Sequence, residues 1–80
     1  MRLDKFLKVS RLVKRRTIAN ELCDAKHVQV NGKVARASLV VKPGDEITLR
    51  IGANTVRARV LTVCEHATKE TATGMFELLE

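Results

Sequence analysis

The spacing of apolar residues changes once along this chain of 80 residues, near residue 27. That change puts helices first and strands after. Before it, Leu3, Phe6 and Leu7 recur at i, i+3 and i+4, with Arg2, Asp4, Lys5 and Lys8 on the other faces. Such spacing gathers the apolar side chains on one side of a helix, so a short amphipathic helix is expected over about residues 2–9, with Ser10 and Arg11 at its exit. A second helix is expected from about Arg15 to Ala25, with Ile18, Leu22 and Ala25 as its inner stripe, Ala19 beside them, and Asn20, Glu21 and Asp24 toward water. Thr17 caps this helix if it begins slightly later.

Beyond the change, His27-Val28-Gln29-Val30-Asn31 alternates, which turns Val28 and Val30 inward from a strand. Asn31-Gly32 marks a tight turn, because both residues tolerate positive φ. Residues 33–41 lead to a second turn at Lys42-Pro43-Gly44-Asp45. Ile47, Leu49 and Ile51 then alternate with Thr48 and Arg50. A turn over Gly52-Ala53-Asn54-Thr55 precedes Val56, Ala58 and Val60, which alternate with Arg57 and Arg59 toward Val63, a hairpin pattern. Residues 65–74 are polar and Thr-rich, with room for one loose helical turn. Phe76 and Leu78 flank Glu77, so a closing strand is expected over 75–79. The expected fold is α+β, with two N-terminal helices packed on a small, mostly antiparallel sheet. One domain with its hairpin is expected over residues 1–65, and a short tail over 66–80.

A chain this short buries a small core. Two Phe, no Tyr and no Trp leave that core to Leu, Val, Ile and Ala. Cys23 and Cys64 are the only cysteines, and no metal-ligand spacing surrounds them. A disulfide staple is one reading; two reduced thiols in a cytoplasmic protein, acting as small core hydrophobes, is the reading favoured. The charged N-terminus lacks the apolar run of a secretory leader, and the apolar runs are far shorter than the roughly 20 residues that cross a bilayer. No membrane partner is expected.

Net charge is +6, but its distribution says more. Residues 1–42 carry 11 Lys/Arg against three acids, whereas residues 43–80 carry four against six. Charge at one end only suggests a polyanion-binding face on an otherwise ordinary domain. Seven bases fall in the first 16 residues (Arg2, Lys5, Lys8, Arg11, Lys14, Arg15 and Arg16), against the single acid Asp4. Arg2–Lys5 and Lys5–Lys8 are i, i+3 neighbours, a crowding of like charge that arriving phosphates relieve. Arginine adds a planar fork that grips phosphate oxygens in two places. A solvated basic face is the plain alternative. Both Phe sit at core positions, so no aromatic platform is left for stacking splayed bases, and structured RNA is the favoured partner.

Arg2-Leu3-Asp4-x-x-Leu7, Arg16-Thr17-x-Ala19-x-x-Leu22, Val28-x-Val30-Asn31-Gly32-Lys33 and Val41-Lys42-Pro43-Gly44-Asp45-x-Ile47 together resemble the alpha-L RNA-binding motif, named for the RNA-binding domain of small-subunit ribosomal protein four. The resemblance spans about residues 1–50, and four ordered blocks make it specific. It implies two helices on a small sheet, presenting a basic face to RNA. The run from Arg2 to Leu12 further resembles the short members of that family acting in bacterial ribosome-associated quality control, and is similar to the longer fifteen-kilodalton heat-shock protein. The resemblance implies as partners large-subunit ribosomal RNA, peptidyl-tRNA and stalled large subunits, alongside a separate tRNA-delivering factor during C-terminal alanine tailing. It implies RNA contacts at Arg2 and Arg16, with Lys5, Lys8 and Arg15 nearby; Arg11 and Lys14 from the basic cluster, with Thr17 and Lys33, complete the expected RNA-binding set. Position 26, commonly Gly at the end of the second alpha-L helix, is Lys here, so either the helix ends differently or Lys26 is strained in a left-handed helix end.

Asp4 is expected to pair with a neighbouring base or cap the first helical turn rather than to act as a catalytic acid. His27 and His66 have no ligand set around them. Arg36 and Lys42, like Lys33, lie on or near turns at the margin of the basic face; Arg57 and Arg59 point outward from a strand. There is no cofactor loop and no catalytic constellation, so no enzyme and no cofactor are expected. The rival readings are an accessory module linked to RNA modification and a DNA-binding helix-turn-helix, the latter disfavoured by the strand-rich second half. The chain is expected to be a monomer off the ribosome.

Overall fold

A computed structural model describes residues 1–64 and 68–79. Helix α1 spans Leu3–Val9 and α2 spans Arg16–Asp24. Strands β1 (Val28–Val30), β2 (Lys33–Val34), β3 (Glu46–Ile51) and β4 (Asn54–Val60) follow, then a short helix α3 (Lys69–Thr73) and strand β5 (Phe76–Leu79). The strands form one antiparallel sheet in the order β2-β1-β3-β4-β5. This is the α+β fold expected. His66 and its neighbours at 65 and 67 lie outside the described residues.

Period two puts Val28, Val30, Ile47, Leu49, Ala58 and Val60 on one face of the sheet, all buried. Leu3, Phe6, Leu7, Val13, Ala19 and Cys23 cover that face from the helical side. The opposite face carries cross-strand rows such as Glu46–Arg59–Glu77, and Arg57 pairs with Glu46 at 3.6 Å. Its charges are largely balanced, unlike those of the helices.

The start of α1 is held by distant backbone. Leu3 and Asp4 donate their N–H groups to the carbonyls of Leu39 (2.7 Å) and Ala37 (3.2 Å), and Val41 donates to Met1 at 2.8 Å. The first two of these bonds satisfy helix-end donors that no side chain caps.

Four expectations are corrected. The buried stripe of α2 is Ala19 and Cys23, while Ile18 is 43% exposed and Ala25 is exposed. The helix is rotated because Asn20, expected in water, turns inward to a buried carboxylate. The helix starts at Arg16 behind Arg15, so Thr17 is inside its first turn and caps nothing. The β3–β4 turn is Gly52-Ala53 alone, since Ile51 pairs with Asn54; Gly52 at φ 60° permits the tighter loop. Strand β4 ends at Val60, because the N–H groups of Leu61 and Thr62 go instead to the Met75 carbonyl.

Helix α2 closes in a Schellman turn: Lys26 donates to Cys23 at 3.0 Å and His27 to Leu22 at 2.9 Å. Lys26 has φ 63°, so of the two alternatives the helix keeps its left-handed end and Lys26 carries the strain. Arg11 takes the same left-handed place after α1, with φ 66° and a bond to the Lys8 carbonyl, but there the Leu7 carbonyl accepts from Val13 at 3.0 Å. Each left-handed residue with a Cβ costs roughly 1–2 kcal/mol. Asn31 (φ 54°) and Gly32 (φ 83°) form the two-residue turn between β1 and β2. The Asn31 side chain donates to Asp45 (3.1 Å) and accepts from the Glu46 N–H (3.0 Å), tying that turn to the Pro43-Gly44 turn.

Candidate nucleic-acid interface

Asp4 is the centre of the basic end. Its residue is 1% exposed, yet it lies just beneath the surface, roofed by Arg2 and Arg16. One carboxylate oxygen accepts from Arg16 Nε at 3.1 Å and from the Asn20 amide at 2.8 Å. The other accepts from the Lys5 N–H at 2.8 Å and approaches Arg2 Nε at 3.2 Å. Burial pushes the carboxyl's pKa up. The Arg16 hydrogen bond, the Lys5 N–H and the charges of Arg16 and Arg2 outweigh that, and the group lies below the usual carboxylate value. Asp4 thus stays ionised, locks α1 to α2, and holds two guanidiniums about half in water.

Around this centre the cations follow the chain. Lys5 is half-buried on α1, and Lys8 is exposed on its last turn. Arg11 projects from the left-handed exit, Lys14 from the linker and Arg15 from the residue before α2, all exposed. Lys8, Arg11, Lys14 and Arg15 have no ion pair among the described residues. Thr17 is exposed on the first turn of α2. Lys33 stands apart: it lies on the edge strand β2 and lines a cleft with Arg36 and Lys42. Asn20 was missed by sequence reasoning. Its signal is the i, i+4 step from Arg16, which puts both on one helical face.

The S4 domain family model matches residues 1–47, the stretch holding both helices, β1, β2 and the Asp4 cluster. A Halalkalibacterium halodurans protein named RQC P-site tRNA stabilizing factor is 51% identical over 78 residues, 98% of this chain and 89% of its own length. The Bacillus subtilis protein of that name is 50% identical over 80 residues, all of this chain and 93% of its own. The chain belongs to this S4-domain family. Among solved structures, heat shock protein 15 of Vibrio cholerae, determined as a trimer, superposes with a TM-score of 0.90 at 28% identity, covering 99% of this chain and 81% of its own.

In this S4 domain the family match ends inside β3. The rest of β3, with β4 and β5, continues the sheet on the side of β1 opposite β2, and α3 precedes β5. No helix among the described residues is long and apolar enough to cross a membrane.

Proposed function

We propose that this chain is a non-enzymatic, cytoplasmic RNA-binding factor of ribosome-associated quality control. It binds stalled large ribosomal subunits carrying peptidyl-tRNA, contacts both ribosomal and transfer RNA, and supports C-terminal alanine tailing with a tRNA-delivering factor. The observation that carries the reading is the basic strip from Lys8 to Arg15, without ion pairs among the described residues and continuous with Arg2 and Arg16. The names of its relatives support the setting. The mechanism is stabilisation: phosphate contacts from Arg2, Lys5, Lys8, Arg11, Lys14, Arg15 and Arg16, with Thr17 and Lys33 at the margins, favour one arrangement of the two RNAs. Off the ribosome the chain is a monomer, which sedimentation tests against the trimer of its solved neighbour.

Arg16→Ala is a poor probe, because Arg16 also ties α2 to Asp4. Lys14→Gln/Arg15→Gln removes two charges outside that network. It is expected to melt like the parent, weaken binding to isolated large subunits with peptidyl-tRNA, and lower the slope of log K against log salt by about 1–2 units. Unchanged affinity and slope, or equal binding of the parent to duplex DNA, refutes the reading.

A further inference from the structure

A second group of cations lies around the corner from the helix strip. The C-terminal end of α2 and the segment from Val34 to Ser38 enclose a groove of about 550 Å³. Arg2, Lys26 and Arg36 line it from three separate parts of the chain, against the single acid Asp24. Its walls include Ala35, Ala37 and Ser38, small side chains that leave room for a strand to come close.

Lys26 is the informative member. Its backbone is left-handed, at φ 63°, the conformation that glycine adopts without strain. A lysine there lowers the stability of the helix end and contributes no ion pair among the described residues. Strain that brings no packing or pairing is explained when the side chain has work to do outside the fold. Its position in a groove with Arg2 and Arg36 names that work.

We propose that this groove is a second phosphodiester site, in which Lys26 and Arg36 hold the backbone of an RNA strand that also lies on Arg2. This deepens, and rests on, the reading of the N-terminal face as an RNA interface. Arg2 belongs to both surfaces, so a single strand passes from one to the other without a break. No aromatic side chain lines the groove, which favours backbone phosphates over stacked bases. The lining also lacks the large apolar pocket that would anchor an acidic peptide.

Lys26→Gly separates the two roles of that residue, because stability and binding should move in opposite directions. The variant is expected to melt about 4–8 °C higher, as a relieved left-handed residue should in a domain of this size. Its affinity for isolated large subunits with peptidyl-tRNA, and for protein-free large-subunit RNA, should fall about 3- to 10-fold, with the salt slope reduced by about one unit. Arg36→Gln should weaken binding similarly without changing the melting temperature. Lys26→Gly with raised melting and unchanged binding, together with unchanged binding of Arg36→Gln, overturns the proposal. So does a deficit seen on intact subunits but not on protein-free RNA, which would make the occupant a ribosomal protein. If Lys14→Gln/Arg15→Gln loses affinity while these two variants do not, the groove alone is refuted. If none of the three loses affinity, the interface reading fails with it.

Discussion

Replacing Asp4 with alanine removes the only acid among the first 16 residues and the tie between the two helices. Four groups lose a charged acceptor: the Arg2 and Arg16 guanidiniums, the Asn20 amide and the Lys5 N–H. Breaking a fully buried ion pair from one side costs about 3–5 kcal/mol. Here Arg2 and Arg16 keep 51% and 47% of their side chains in water and are resolvated, so the cost falls below that range. The Lys5 N–H and the Asn20 amide account for most of what remains, about 2–3 kcal/mol, since a hydrogen bond to a charged group contributes about 1.5–3 kcal/mol. For a domain of this size that is a fall of about 10–20 °C in Tm. Circular dichroism melts at neutral pH measure it. The acid limb gives a second readout. Asp4 has a folded pKa below its unfolded value, so its contribution is present above about pH 4 and is lost as pH falls through the folded value. Asp4→Ala should therefore lose stability at neutral pH and show a shallower acid limb. A variant melting within about 4 °C of the parent, with the acid limb unchanged, would sink the claim that this carboxylate joins the helices.

Two further expectations concern the core and the turns. Burial pushes the Cys23 thiol up to about 11, with Asp4 and Asp24 adding to the shift, so Cys23 should resist alkylation at pH 8 in the folded protein and react once it is unfolded; equal rates in the two states would contradict the burial. Asn31→Ala should cost about 2 kcal/mol, or about 10 °C in a melt, through a left-handed alanine and the lost bonds to Asp45 and Glu46. Asn31→Gly, which keeps the turn, should recover part of that loss, and no recovery would place the whole effect in the side chain.

Much of the architecture was legible because its signals are local. The i, i+3, i+4 run of Leu3, Phe6 and Leu7 specifies α1, and alternation specifies β1, β3 and β4 to within a few residues. Asn31-Gly32 specifies a turn by backbone tolerance alone. The rotation of α2 was not legible, because it depends on Asn20 meeting a carboxylate 16 residues earlier. Nor was the role of residues 37–41, where the Ala37 and Leu39 carbonyls accept from the start of α1 and the Val41 N–H donates to Met1, backbone bonds that leave no trace in side-chain pattern. Within the basic end, the count of charges was visible from sequence. Their division was not: Arg2 and Arg16 are held on Asp4, whereas Lys8, Arg11, Lys14 and Arg15 have no ion pair among the described residues.

The bonds from Leu3 to Leu39 and from Val41 to Met1 also bear on when the interface comes into being. During synthesis the cations emerge first, but the segment that fixes the start of α1 comes some forty residues later. At about 5–20 residues per second this interval lasts seconds, ample for a short helix to form and melt many times. A half-made chain therefore carries the charges of the interface without their arrangement. Competence to hold RNA arrives late, with the closure of the first residues onto the fortieth.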